Sequence, residues 1–528
     1  MTNSHRIAQR SCAQLCDPRS HRAVIAARLV ITLAVFELIG STALAVDLSS
    51  AVIRGSSVYS AADLFTVYRE QLGKPVTQTS ARAIVTALVA KYEQDGYSRP
   101  QIRLDDGLIA AGILRIDVFE ARITAVKING DPGPHLARLE DLGSRLRADG
   151  PVRQDGMQAT LRRMRDLPGL TLSATTAREE EEPNVYRLDL DAEFDPVSGA
   201  VRLSNRGTDE AGPNFVLGQI VANGLLAGQT NIGVMFGAAT DYDEYHGLGV
   251  LANVGVGQEG ARISVLGFQS RSDPTEAVID RDISYLRDRL SLRVTRPVPS
   301  LPRWGASLFA ALELEDLAIY RSVDRVRDER LRMLELGSKW NRRAGTATQY
   351  AGSIELVKGL GGFNSGLAAA DLLDDPRRED FTLLRMTLTR LTRLNDRWSV
   401  RLDGFTQQTA YVLPYNERFK IGGDRLGRGF EVAEIAGDQG VGAKVEARRR
   451  FLNAPALLGR SSVYAFYDIG AAWKQDVSGR ESAATAGFGF AAQARRTSGS
   501  LELAQPLTHA DVEGSRGLTL FAEVAVSF

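Results

Sequence analysis
"GLTLFAEVAVSF", residues 517–528, closes the chain, and its reading decides the fold. Leu518, Leu520, Ala522, Val524, Val526 and Phe528 recur at every second position. A period of two places them in one row on one face of a β-strand. The same alternation runs back through the chain. In "RLSLRVTRP" (289–297), Leu290, Leu292 and Val294 stand against Ser291, Arg293 and Thr295. "WSVRLDG" (398–404) sets Trp398, Val400 and Leu402 against Ser399, Arg401 and Asp403, and "VGAKVEARR" (441–449) repeats the pattern. From residue 199 onward some sixteen segments of roughly 8–14 residues read this way, each bounded by Gly, Pro, Asn or Asp. One face is apolar and the other strongly charged. A soluble sandwich buries the apolar face, whereas a transmembrane barrel turns it to lipid and keeps a polar lumen. Periodicity alone does not separate the two.

Three further features favour the barrel. The strand count is even and of barrel size. The last strand ends on an aromatic residue, Phe528, as barrel-assembly signals do, and closure of the sheet removes an otherwise unpaired edge. The amino terminus also reads as an export signal. "RLVITLAVFELIGSTALAVDLSS" (28–50) puts arginines ahead of a short apolar core and ends it at Ala43, Leu44 and Ala45. The run is too short for a spanning helix and is interrupted by Glu37. Residues 1–45 are therefore expected to be a signal peptide, with the mature chain beginning at Val46. Cys12 and Cys16 would leave with it, which removes disulfides and thiolate ligands from the mature protein.

Between the signal and the barrel the pattern changes. Ser60 and Asp63 form a capping-box start to a helix carrying Leu64, Tyr68 and Leu72. A second helix follows Thr77 with Ile84, Leu88 and Tyr92 on one stripe and Gly96 at its end. "GILRIDVFE" (112–120) then alternates as a strand. The set repeats, with Leu136, Leu139, Leu142 and Leu146 on one helix, Met157, Leu161 and Met164 on another, and the strands "GLTLSA" and "NVYRLDLDAEF" after them. Two tandem modules of about 70 residues each thus precede the barrel. The acidic run Glu179–Glu182 reads as a solvated hairpin tip between the last two strands.

Several chemistries find no carrier. Lys plus Arg and Asp plus Glu are 64 each, so the net charge is zero and no nucleic-acid footprint exists. His135, His246 and His509 are scattered, which argues against a histidine metal site. "HGLGVLANVG" (246–255) has dinucleotide-fingerprint spacing but continues as a strand, and "KGLGGFNSG" (358–366) lacks the end of a phosphate loop. There is no nucleophile elbow. No enzyme activity, cofactor or metal is expected.

One glycine-rich stretch stands out. "GGDRLGRGFE" (422–431) lies in a connection at about 412–439, longer than a compact hairpin needs. Arg428 offers a rigid donor fork. In "SSVYAFYDIGAAW" (461–473), the outward row of Val463, Ala465, Tyr467, Ile469 and Trp473 sends Ser462, Tyr464, Phe466, Asp468 and Gly470 to the lumen. Arg428 and Asp468 could then meet as a bidentate, partly desolvated ion pair. Spacing alone leaves this even with the alternative of a solvated loop arginine and one lumen charge among many.

These segments resemble the TpsB family of two-partner secretion transporters, the haemolysin secretion and activation type, within the superfamily that includes the BamA assembly factor. The resemblance rests on the two POTRA-like modules, "VRLSNRGTDEAGP" (201–213), "IGGDRLGRGFE" (421–431) followed by "GDQG" (437–440), and "FYDIG" (466–470). It implies a sixteen-stranded outer-membrane barrel over 196–528, POTRA domains at 46–120 and 121–195 in the periplasm, and no covalent chemistry. It further implies that Gly427, Arg428, Gly429 and Phe430 form the core of a loop folded into the barrel, with Phe466, Asp468 and Gly470 as its partners on the wall. Gly427 departs from the family, which usually carries valine there. The mature chain also enters its first module at once, so a plugging helix is not implied. The implied partner is an unfolded TpsA-like exoprotein, taken up by strand addition at edges near Gln101–Leu104 and Leu170–Ala174 and passed through the pore of a monomer. Outer-membrane lipid and the barrel assembly machinery are the other expected partners, with no nucleic acid. The competing expectations are an outer-membrane assembly factor, a passive porin, which would need no modules, and a soluble β-sandwich enzyme.

Overall fold
The computed structural model describes residues 46–105, 111–147, 150–179, 183–208, 211–226, 228–274, 283–298, 304–369, 375–456, 458–508 and 517–528. The expected signal segment with its two cysteines, Glu180–Glu182 and His509 lie outside the described residues.

Two small α+β sheets come first. Strand β1 (Ser50–Arg54) is followed by helices α1 (Ala61–Tyr68) and α2 (Gln78–Gln94), then β2 (Gln101–Asp105) and β3 (Ile113–Phe119). Ser60 caps α1 in a full capping box with Asp63. The sheet order is β1-β3-β2, which leaves β2 at an edge. Ile84 and Leu88 of α2 and Leu114, Ile116 and Val118 of β3 are buried, the helical and strand periods each supplying one apolar face. Of the described residues, this first unit holds those from 46 to Lys91 and from Ile102 to Val118.

The second unit holds the second sheet and the barrel. β4 (Arg122–Asp131), α3 (Leu136–Ser144), α4 (Gln154–Arg165), β5 (Leu170–Arg178) and β6 (Val185–Phe194) form a sheet in the order β4-β6-β5, with β5 at an edge. Ile123, Leu139, Leu142, Leu161, Met164, Leu188 and Leu190 make one continuous core. Leu136 is exposed, so the apolar stripe of α3 begins one turn later than the leucine spacing predicts. His135 is buried, with Nε2 2.8 Å from the Pro168 carbonyl, and burial holds its imidazole below the ordinary histidine range. Arg138 and Arg145 reach the Gln258 carbonyl and side chain at 2.8 and 2.5 Å, and Arg262 donates to the Asp166 carbonyl at 3.1 Å. These bonds tie the second sheet to a turn of the barrel.

The barrel strands are β7 (Val197–Ser204), β8 (Phe215–Leu225), β9 (Thr230–Ala239), β10 (Tyr245–Val256), β11 (Ala261–Ser272), β12 (Ile283–Val298), β13 (Trp304–Arg321), β14 (Asp324–Ala344), β15 (Thr348–Gly359), β16 (Gly366–Ala369), β17 (Thr382–Arg393) and β18 (Trp398–Thr409). After a loop carrying β19 (Phe419–Ile421) and β20 (Ile435–Gly437) come β21 (Gln439–Arg450), β22 (Arg460–Trp473), β23 (Glu481–Ala494), β24 (Thr497–Pro506) and β25 (Thr519–Ser527). Neighbours pair antiparallel and β25 returns to β7, closing a sixteen-stranded barrel. The four-residue β16 only extends the sheet beside the far end of β14, while β15 pairs directly with β17.

Leu290, Leu292 and Val294 are 47 %, 44 % and 46 % exposed, whereas Ser291 between them is 8 % exposed. The apolar rows therefore face outward, the inversion expected of a barrel in lipid. The row at Leu518, Leu520, Val524, Val526 and Phe528 is exposed in the same way. Among the described residues no helix is long and apolar enough to cross a membrane.

Candidate functional site
The connection from β18 to β21 turns back into the barrel. Its own regular structure is the three-residue hairpin β19–β20, paired from Phe419↔Gly437 to Ile421↔Ile435. Sequence predicts an irregular loop here because strands this short show no readable period. The hairpin carries an apolar cluster of Phe419, Ile421, Leu426, Phe430 and Ile435, which packs on Ala472 and Ala483 of the wall.

Glycines on the wall make room for it. A Cβ at Gly440 would stand 2.0 Å from the Phe419 ring, and one at Gly442 would be 2.3 Å from Leu426. At Gly470 it would meet Leu426 at 2.9 Å and Ile421 at 3.0 Å. These contacts are tighter than a Cβ comfortably makes, so a side chain at any of the three positions would push Phe419, Leu426 or Ile421 of the loop aside.

Arg428 occupies the tip. Its Nε and Nη2 donate to Asp468 Oδ2 and Oδ1 at 3.0 and 2.9 Å, a bidentate pair. The amides of Gly427 and Arg428 also point at Asp468 Oδ2, each at 3.3 Å. Nη1 reaches Glu502 at 3.2 Å and Glu446 at 3.4 Å, and the guanidinium lies 3.5 Å over the Phe466 ring. Arg428, Asp468 and Glu502 are 6 %, 0 % and 3 % exposed. Burial on this scale is tolerable because the charges balance: Asp468, Glu446 and Glu502 are met by Arg428, Arg206 and Arg448. Arg206 also pairs with Asp424 of the loop at 3.0 Å, and the Tyr464 hydroxyl donates to Glu502 at 3.0 Å.

Every motif residue expected at the site lies in this cluster except Phe528. Gly427 has φ +82°, and a Cβ there would be 2.9 Å from Ile421 Cγ2. Gly429 lies against Thr485 and Pro506, and Phe430 is buried in the loop core. Phe528 lies at the closing seam, where it and Gly199 exchange both backbone hydrogen bonds at 2.9 Å. Sequence reasoning missed Arg206, Glu446 and Glu502. The inward parity of Glu446 and Glu502 on their strands was legible, but nothing marked them among the other lumenal charges, and Arg206 lies past the end of β7.

A second fastening was also missed. Asn416 and Glu417, in a single 3₁₀ turn, bind Glu315 of β13 at 2.5 Å and Arg385 of β17 at 2.7 Å. Asp438, from the "GDQG" segment, is fully buried and accepts from the amides of Leu413 and Gln475 at 2.8 and 2.7 Å. The loop is thus fixed at its base and to two parts of the wall. Toward the other end of the lumen, a cavity of about 770 Å³ lies between α4 and the barrel wall, lined in part by Arg162, Asp166, Arg262, Lys339 and Thr389. Among the described residues no group of three or more His, Cys, Asp or Glu side chains is arranged to hold a metal ion.

Residues 323–492, which include the loop and the β22 motif, match the family model of the haemolysin secretion/activation protein ShlB/FhaC/HecB. The structure of CdiB from Escherichia coli is similar with a TM-score of 0.72 at 17 % identity, covering 93 % of this chain and 92 % of that one. CdiB from Acinetobacter baumannii follows with a TM-score of 0.62 at 17 % identity, covering 92 % and 90 %. No curated protein matches by sequence. The family match thus lies over the loop and the strand that receives it, and the fold is shared with the two CdiB structures along nearly the whole length.

Proposed function
We propose that the protein is an outer-membrane transporter of two-partner secretion, which takes an unfolded TpsA-like exoprotein from the periplasm and passes it through the barrel to the cell surface. The observation that supports this most directly is the loop seated inside the barrel by the Arg428–Asp468 pair. A passive porin needs neither this device nor the modules ahead of the barrel.

In this reading residues 46–120 and 121–195 are periplasmic POTRA domains and 196–528 the membrane domain. The edges β2 and β5 receive an extended segment of the exoprotein, with backbone bonds supplying affinity and side chains selectivity. The lumen is polar and charged, so an unfolded chain meets no apolar wall there. The seated loop must shift to give it passage, and Arg428 returns it to a defined position. Folding of the exoprotein outside supplies the drive.

The test is Arg428→Ala in the full chain. Exoprotein is expected to remain inside the cell while the variant still inserts as a heat-modifiable barrel. Wild-type levels of surface exoprotein from that variant would sink the assignment.

A further inference from the structure
A separate set of arginines lies on the outer wall, at the end of the barrel where β7 begins. Trp304 of β13 sits directly across from Arg342 of β14, Arg342 across from Tyr350 of β15, and Tyr350 across from Arg390 of β17. Trp398 of β18 faces Arg449 of β21 in the same way. These six share the parity of Leu308, Leu336, Ile354, Leu388, Leu402 and Val445, all exposed apolar residues of the outward rows. The apolar band therefore ends in a row where aromatic rings and guanidiniums alternate across neighbouring strands.

The arginines are not neutralised. The Arg342 guanidinium lies 5.1 Å from the Trp304 ring, Arg390 lies 5.9 Å from Tyr350, and Arg449 lies 6.0 Å from Phe451. Arg390 also donates to the Thr392 hydroxyl at 3.2 Å. Among the described residues none of the three has a carboxylate partner, whereas lumenal Arg287, Arg289, Arg293, Arg385 and Arg428 all do. Rings at this level suit the interface of any bilayer. Unpaired guanidiniums there call for an anion, and their fork matches a phosphate oxygen pair. The uninterrupted apolar band beside the row makes lipid a better fit than a polypeptide.

We propose that Arg342, Arg390 and Arg449, with their neighbouring rings, form a belt that binds the phosphates of anionic phospholipids in the leaflet at the end of the barrel where β7 begins. The inference rests on the outer-membrane reading of the barrel. The neighbouring rings lie at the same level as the guanidiniums, at headgroup depth, and the acyl chains lie along the leucine rows.

The test compares full-length wild type with R342Q/R390Q/R449Q, reconstituted into phosphatidylethanolamine vesicles with and without phosphatidylglycerol. After mild delipidation, retained lipid is counted by native mass spectrometry. Wild type should retain phosphatidylglycerol in preference to phosphatidylethanolamine, and the triple variant should lose roughly five-fold per removed cation. R342K/R390K/R449K should keep most of the preference, which controls for folding. R495Q/R496Q, which removes charge from a nearby turn, should keep it too. Equal loss in the turn variant, or an unchanged preference in the glutamine variant, would overturn the belt. So would a glutamine variant that keeps its lipid but fails in secretion, since the face would then bind protein. Wild type that inserts without any preference overturns the belt alone, whereas a chain that stays out of every vesicle sinks the membrane reading as well.

Discussion
Removing either Arg428 or Asp468 alone strands a buried charge, a change that costs about 3–5 kcal/mol in comparable pairs. Pairing by itself predicts that exchanging the two would recover part of the loss, and sequence suggests that experiment. The structure alters the expectation. An aspartate at position 428 would face Glu446 and Glu502, both within 3.4 Å of the present guanidinium, and an arginine at 468 would meet the amides of Gly427 and Arg428. We expect R428D/D468R to secrete no better than either single change, and Glu502→Gln added to the swap to improve it. Quantitative immunoblotting of surface exoprotein decides this. Full rescue by the plain swap would mean that Glu446 and Glu502 do not contribute. The same neighbourhood explains why the site was only partly legible. Arg428, Asp468 and their neighbours carry a motif, but Glu446 and Glu502 are two glutamates in alternating strands. Gly427, unexpected where valine is usual, has a positive φ that disfavours any side chain, and its backbone amide is one of the donors to Asp468.

At the scale of the element, the loop is a small folded body that uses the wall as its other half. Its core of Ile421, Leu426 and Phe430 is completed by Ala472, Ala483 and the space over Gly442 and Gly470. Strand alternation put Gly470 in the lumen, but no sequence pattern says that a lumenal glycine is a socket. Gly470→Val tests the socket without touching a charge. The added carbon would overlap Leu426 and Ile421, and overpacking of this kind costs about 1–3 kcal/mol. The barrel strands do not depend on that contact, whereas the seat does. The variant should therefore form a normal barrel with a displaced loop. It should show higher conductance in planar bilayers and new tryptic cleavage at Arg425 or Arg428. Unchanged conductance together with unchanged protection would show that the loop does not need this seat.

For the whole molecule, parity and an even count made the barrel legible, because each strand turns one row outward independently of its neighbours. Closure was not legible in the same detail, since register depends on partners far apart in the chain. The short β16 and the uneven pairing lengths came only from the structure. β13 pairs with β14 along its whole length, from Trp304 to Arg321, whereas β25 and β7 share the five pairs from Glu523↔Ser204 to Ser527↔Ala200, extended by Phe528 against Gly199. This seam is where the two candidate routes for a client protein differ. Secretion through the lumen needs the sheet to stay closed, while a factor that releases strands into the membrane has to open an edge. The chain allows a clean test, because its two cysteines precede residue 46. Gly199 and Phe528 exchange both backbone bonds, so the next pair, Ala200 and Ser527, is a non-hydrogen-bonded one whose side chains approach closely enough for a disulfide. Ala200→Cys/Ser527→Cys should oxidise readily and lock the seam at the end where β7 begins. Secretion by the oxidised variant should match that of its reduced form, because the disulfide adds only a small bridge on the lumenal face of the seam and leaves the Arg428 loop in place. Loss of secretion on oxidation, restored by reductant, would instead place the seam in the route and favour an assembly factor.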